Sequence, residues 1–420
     1  MSTAPDVAPH APAPAAPTGA ADQARRAVEA DPDHPAVGAA TALLAGYAPG
    51  ARFLGTPTRT LLGQGVHSEV PHDGRPLAAR VAHTLAAARE AGADAPVVIG
   101  AVPFDQDAPA ALAVPAALHS APPLAADPLV ALPAQAPAAA DWRIRQVPAP
   151  EHYGKAVATA VDRMWRGEFS KVVLARTLEL DALDSAEPVD VAAMLQRLAR
   201  RDPGGYTFAL PTGPERTLIG ASPELLVSRR GRRVVANPLA GSVPRSDDLA
   251  EDVRRAAALL RSAKDLHEHA VVVDAVHQAL APYCADLTVP AAPTLIRTAA
   301  MWHLSTTVTA TLARPETSAL ELACALHPTP AVCGTPTATA REVIRESEPF
   351  DRGFFTGMVG WGDASGDGEW VVTIRCAEAE RNSLRLYAGA GVVAASEPAA
   401  ETAETAAKFR TFLAAVGAEL

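Results

Sequence analysis

The chain has few cysteines and no arrangement that would use them. Cys284, Cys324, Cys333 and Cys376 are scattered without a C-x-x-C pair, so neither a disulfide framework nor a zinc knuckle is indicated. An excess of basic residues is also missing. The 37 Lys and Arg against 47 Asp and Glu leave a net charge of -10, a balance that argues against a nucleic-acid surface. Nor is there a run of ~20 apolar residues free of proline and charge, the length a membrane-crossing helix needs. The N-terminus, MSTAPDVAPHAPAPAAP, lacks the basic and continuous apolar regions of a secretory signal. These absences predict a cytoplasmic protein with no nucleic-acid or membrane partner. A small anionic ligand would need positive side chains concentrated locally.

Bulky apolar residues are scarce in two stretches. Residues 1–35 are dominated by Ala and Pro, with too little apolar surface to offset the entropy of ordering, and a disordered leader is predicted there. The same pattern returns between about 108 and 140, where repeated prolines oppose a long helix or a central strand. It reads as a surface connection inside an N-terminal subdomain spanning 36–150.

From 151 to 420 the chain changes character and reads as the catalytic region. A helix is predicted over 152–166, then the β-branched run Lys171-Val172-Val173-Leu174. Strand patterns follow at 205–210, 216–221, 224–229 and 233–236, with Arg229-Arg230-Gly231-Arg232 as a hairpin turn. A helix is predicted from about 247 to 280, strands at 300–312 and 369–375, and a helix over 399–416 with Ala406, Phe409, Phe412 and Leu413 on one stripe. This mixture predicts an α+β class, with layered antiparallel sheets flanked by helices.

Several residues could carry chemistry. In FSKVVLAR (169–176) the period-two rule puts Phe169, Lys171, Val173 and Ala175 on one face. Lys171 is either an edge-strand lysine that blunts aggregation or a cavity lysine whose desolvation disfavours its charge and suits it to act as a base. In ASPELL (221–226) Pro223 forces an irregular entry and aims Glu224 at the mouth of a strand, solvated or directed into a cleft. Gly241 after Ala240 suggests a close backbone approach. On the last helix Glu401, Glu404 and Lys408 share a face. They form either a salt-bridged surface or, with acids of KDLHEH (264–269), an all-oxygen Mg2+ site. Lys408 and Arg375 could then clamp ligand carboxylates.

Together these segments resemble the chorismate-binding enzymes, most closely the isochorismate synthases of siderophore and menaquinone pathways. The resemblance is dense over 150–420, through FSKVVLAR, ASPELL, NPLAGSVPR, KDLHEH, WHLSTTV, LHPTPAVCGTP, ESEPFDRGFFTGMVGW, GEWVVTIRCA and YAGAG, and weaker at VVIGAVPFD (97–105). It implies that Lys171 activates water and that Glu224 protonates a departing hydroxyl. It further implies that Glu268 and Glu404 ligate Mg2+, with Glu401 contributing through water. Arg375 and Lys408 would meet substrate carboxylates, Gly389 and Gly391 would bring backbone to the substrate, and His327 would lie beside its ring. Ala240 replaces the nucleophilic lysine of aminodeoxychorismate synthases, which excludes that covalent route, and Ser242 replaces a threonine of many aminating and lyase relatives. The implied activity is the Mg2+-dependent isomerisation of chorismate to isochorismate by a monomer. The alternatives are a salicylate synthase, which goes on to eliminate pyruvate, an ammonia-using synthase, and a non-catalytic chorismate-binding paralogue.

Overall fold

The structure is a computed structural model that describes residues 37–137, 141–183 and 188–419; the leader expected over 1–35 lies outside them. Two large sheets form its centre. The first runs, from one edge, through Gly334–Thr335, Lys171–Ala182, Ser383–Val393, Cys376–Ala379, Arg216–Ser222 and Tyr206–Gly213, and continues through Arg52–Gly55, Thr60–Gln64 and Ala117–Ala121. Trp142–Val147 also pairs with Lys171–Ala182. The second runs through Cys284–Thr288, Val308–Leu312, Arg233–Asn237, Leu225–Arg230 and Gly368–Val372, then Met358–Asp363, Val97–Val102, Ala111–Val114 and Ser68–Glu69. A small third sheet joins Leu239–Pro244, Met301–Ser305 and Thr294–Arg297. The pairings are antiparallel throughout the described residues.

Alternation along the strands explains the layering. In Val97–Val102, Ile99 and Ala101 join a core that also takes Tyr206, Phe208, Leu210 and Leu218 from the first sheet, so these faces meet. Val98 and Val102 point the other way, into a core closed by the helices Leu77–Glu90, Ala263–Leu280 and Ala319–Leu326. The outer face of the first sheet is covered by the helices Ala39–Ala45, Val191–Arg201 and Pro398–Val416, through Leu43, Leu195 and Phe409 among others. The result is the expected α+β class, as helix, sheet, sheet, helix. Among the described residues no helix is long and apolar enough to cross a membrane.

Three expectations need correction. The segment 108–140 is not only a surface connection. Ala111–Val114 and Ala117–Ala121 are strands, one in each large sheet, and Leu112, Ala113 and Val114 are buried. The strands are short enough to fit between Pro109, Pro115 and Pro122, so the prolines bound them rather than prevent them. The helix expected over 247–280 is two helices, Leu249–Leu259 and Ala263–Leu280, because the Ser262 hydroxyl accepts from Asp265 N (3.2 Å) and caps a new start. Phe169 precedes the strand that begins at Lys171 and packs with Val172 and Leu174, away from the face of Lys171.

Candidate active site

Lys171 opens a strand that is hydrogen-bonded on both sides, to Thr335 and to Val393. It is therefore no edge lysine, and its side chain is 0% exposed. Its Nζ lies 3.0 Å from Glu268 Oε1. That approach is a charge contact without hydrogen-bond alignment, and Nζ has no hydrogen-bond partner among the described residues. On the neighbouring strand Gly391 pairs with Val173 and Gly389 with Ala175, which places both glycines on the lysine face. A Cβ at Gly391 would stand 2.2 Å from Glu268 Oε1 and 3.3 Å from Lys171 Cε. The two charged ends meet in space that a missing side chain leaves open.

Glu224 and Arg375 reach the same cavity from two passages between the sheets. Pro223 and Glu224 connect Arg216–Ser222 of the first sheet to Leu225–Arg230 of the second, and residues 373–375 return from Gly368–Val372 to Cys376–Ala379. The passages are tied together: Val372 N donates to Glu224 O (3.1 Å) and Ala221 N to Arg375 O (3.0 Å). Burial pushes the Glu224 carboxyl up to about 7, against the opposing effects of the Leu239 N–H and of Lys171, Arg375 and Lys408. Burial likewise brings Arg375 down to about 10, opposed by Glu404 and Glu224. Arg375 sits at φ 50, a left-handed conformation uncommon for a residue other than glycine. Its guanidinium donates to His303 Nε2 (3.4 Å), so His303 must carry its proton on Nδ1, which lies 2.7 Å from Ser242 Oγ. Burial, then the charges of Arg375 and Lys408, hold His303 well below its ordinary range.

The acids come from two helix N-termini, where the macrodipole favours negative charge. Glu268 lies in the second turn of Ala263–Leu280, and Glu401 and Glu404 in the first two turns of Pro398–Val416. Each has a lysine. Besides the pair Lys171 and Glu268, Lys264 Nζ is 2.7 Å from Glu401 Oε1, and Lys408 Nζ is 2.6 Å from Glu404 Oε1 and 2.7 Å from Gly389 O. Burial and then the Glu404 charge raise the Glu401 carboxyl despite Lys264. Among the described residues no three acidic, His or Cys side chains converge tightly enough to enclose an ion alone. Two hard carboxylates at a cavity wall suit Mg2+, which keeps waters and takes few protein ligands, once it displaces their lysine contacts.

Glu224, Ala240, Gly241, Glu268 and Arg375 line the cavity, as do Gly389, Gly391, Glu404 and Lys408. Of the residues expected there, only Lys171, Glu401 and His327 are not in its wall. Lys171 contacts Glu268 beside the space at Gly391, and Glu401 is held by Lys264. His327 lies away from the wall. Its Nε2–H donates to Thr356 O (2.9 Å), its Nδ1 accepts from Gln106 Nε2 (3.1 Å), and its ring meets Phe104 edge-on. Both ring nitrogens are used, and burial keeps it neutral, down to about 4. It braces Thr356, which does line the cavity.

A model of the chorismate binding enzyme family matches residues 127–417. The chain belongs to the chorismate-binding enzymes. The isochorismate synthase DhbC of Bacillus subtilis is 54% identical over 388 residues, covering 90% of this chain and 96% of that protein. The vibriobactin-specific isochorismate synthase of Vibrio cholerae is 42% identical, with 88% and 92% covered. The solved structure of DhbC from Bacillus anthracis superposes with a TM-score of 0.83 at 48% identity, covering 90% of this chain and 100% of that one. Anthranilate synthase component I of Streptococcus pneumoniae, 20% identical with a TM-score of 0.67 and covering 84% and 92%, shares the fold.

In this chorismate-binding enzyme several groups in and around the cavity escape the sequence reading. His303 lay inside WHLSTTV without being singled out. Lys264 is four residues before Glu268 on one helix, a spacing that was visible. Arg352 had no local signal. Its buried guanidinium joins Glu348 Oε2 (2.8 Å), Val332 O (2.8 Å) and Val173 O (2.8 Å), and Glu348 Oε1 accepts from Ala175 N (2.8 Å). That network fixes two wall residues, Val173 and Val332.

Proposed function

We propose that the chain is an isochorismate synthase, adding water at C2 of chorismate while hydroxide leaves C4. The observation that carries this reading is Glu224, a buried carboxyl held at about 7 in a cavity where Lys171 touches Glu268 on another wall. Relatives covering nearly the whole chain and named isochorismate synthases support it.

The bonds balance without redox chemistry. Water gives its oxygen to C2 and a proton to the Lys171 amine, whose ammonium, paired with Glu268 at rest, must first have released a proton to solvent. The ring double bonds move from C1=C2 and C5=C6 to C1=C6 and C4=C5. The C4–O bond breaks as Glu224 donates its proton, so the leaving group departs as water. Lys171 ends protonated and Glu224 ionised, and one proton returning through solvent restores both. A general acid near pH 7 is protonated in roughly half the molecules at neutral pH. Arg375, aimed by His303, and Lys408 meet the substrate's two carboxylates, while Gly389 and Gly391 let the ring approach the strand. Glu268 and Glu404 would hold Mg2+, with Glu401 held by Lys264; when bound, the ion would offset the charge of the ring carboxylate.

The reading places the protein in 2,3-dihydroxybenzoate and siderophore synthesis, in the cytoplasm, as a monomer. Its test is to incubate purified protein with chorismate and Mg2+ and identify the product by chromatography and mass. Isochorismate as the main product supports it. Salicylate and pyruvate in equal amounts would make it a lyase, and binding without turnover would make it a non-catalytic paralogue.

A further inference from the structure

The strand Lys171–Ala182 is paired along one side by Ser383–Val393, but its other side has a gap. Thr335 and Gly334 pair with Lys171 and Val172, the next pairing begins with Val147 at Thr177, and among the described residues no strand covers 173–176. Two side chains fill that gap. Glu348 Oε1 accepts from Ala175 N (2.8 Å) and Arg352 Nη2 donates to Val173 O (2.8 Å), while the guanidinium and the carboxylate are joined by contacts of 2.5 and 2.8 Å. We propose that Arg352 is a positioning residue for the proton transfer at Lys171, locking the lysine strand against two loops of the cavity wall with Glu348 as its partner. This rests on the isochorismate synthase reading above.

A guanidinium has five N–H donors, and those of Arg352 are all used. Glu348 takes two and Val173 O one, and Nη1 donates to Val332 O (2.8 Å) and to Thr356 Oγ1 (3.2 Å). Val173, Val332 and Thr356 belong to three separate segments, and each lines the cavity. One planar group with fixed donor directions therefore sets where these three walls stand relative to one another. The side chains of the pair are 3% and 2% exposed, and Phe104 covers the guanidinium at 4.9 Å, so water does not compete for these contacts. Val173 is two residues from Lys171 on the same face of the strand, and a shift of this edge carries the base away from its place beside the ring. Arg375 and Lys408, which meet the substrate's carboxylates, are outside the network. Loosening it should leave the substrate bound, with its ring poorly placed for the base.

The test is steady-state kinetics on chorismate with Mg2+, beside thermal melts, for wild type, Arg352→Lys and Glu348→Gln. A lysine keeps the charge and the ion pair but lacks the planar fork and two of the donors. Since misplacing reacting groups by ~1 Å costs about 10²-fold, Arg352→Lys should lower kcat by about 10- to 10²-fold with KM within about threefold, measured well below its melting temperature. The limb of the pH–rate profile that belongs to Glu224, near 7, should stay where it is, because Glu224 is outside the network. Glu348→Gln, whose amide must turn a donor towards one of the N–H groups that the carboxylate accepts, should show the same split to a smaller degree. A folded Arg352→Lys with a lower melting temperature and wild-type kcat would make the pair purely structural and overturns the proposal. A displaced limb, or a loss confined to KM, overturns it too, because the distortion would then reach Glu224 or the carboxylate contacts instead of Lys171. Should Arg352→Lys not fold, wild-type kcat in Glu348→Gln overturns it instead. A wild type that makes isochorismate, with variants that turn over alike, rejects only the positioning role. A wild type that makes none removes the isochorismate synthase reading and the proposal with it.

Discussion

Gly391 faces Glu268 so closely that a methyl group in place of its hydrogen would meet the carboxylate oxygen at 2.2 Å. The atom met is the tip of a flexible side chain, and Gly391 does not have a positive φ among the described residues. Gly391→Ala should therefore fold normally and displace Glu268, together with the Lys171 end only 3.3 Å from the new carbon. Misplacing reacting groups by ~1 Å costs about 10²-fold. We expect kcat/KM to fall by about that factor while the melting temperature stays within a few degrees. Wild-type kinetics for Gly391→Ala would mean that Glu268 is not needed where it stands.

Lys171→Met should remove the base and leave Glu268 without its ammonium contact. A positioned general base contributes about 10²–10⁴-fold, so kcat should fall by that factor with little change in KM, because Lys171 is not in the cavity wall. Steady-state kinetics on chorismate separate the two terms. A loss confined to KM would make Lys171 a binding residue.

Local signals made these residues readable before any fold was known. Period-two alternation exposed the strand of Lys171, a proline marked the bend before Glu224, and helical spacing grouped Glu401, Glu404 and Lys408. What sequence alone did not disclose is long-range. The passages bearing Glu224 and Arg375 join two sheets, and nothing near Pro223 or Ile374 states which strands they connect. His327 sat in a distinctive motif, yet its partners Gln106 and Thr356 are 221 and 29 residues away. The strand Ala111–Val114 is hidden by flanking prolines, because its four residues are too few to alter the Ala/Pro character of the stretch around it.

His327 distinguishes bracing from contact. His327→Phe would leave Thr356 O without its donor, while Gln106 Nε2 keeps the His327 carbonyl (2.9 Å) as an acceptor, in a buried place where an unsatisfied polar group costs about 1–3 kcal/mol. The expected outcome is a lower midpoint in urea, with kcat/KM reduced less than tenfold. A KM increase of 10²-fold with unchanged stability would return His327 to the substrate's side.

Glu224 links stability and turnover through one proton. Its carboxyl is raised from 4.5 to about 7 by burial, so between those values the folded protein holds a proton that the unfolded chain has released. Stability conferred by that proton is fully present below about 4.5 and is lost as pH rises through about 7. At 1.36 kcal/mol per unit the loss is on the order of 3 kcal/mol. Glu224→Gln keeps the shape and cannot ionise, so it should be more stable than wild type at pH 8, with the gap closing as pH falls towards 4.5. The same substitution should lower kcat by about 10²–10⁴-fold. In wild type the acid must be protonated, so kcat/KM for chorismate should fall with rising pH along a limb centred near 7, and the residual rate of Glu224→Gln should lack that limb. Thermal melts at several pH values and pH–rate profiles of both proteins give the two readouts independently. A variant less stable than wild type at pH 8 would show that the carboxylate is welcome in its site, and an unaltered limb would assign the departing hydroxyl to another acid.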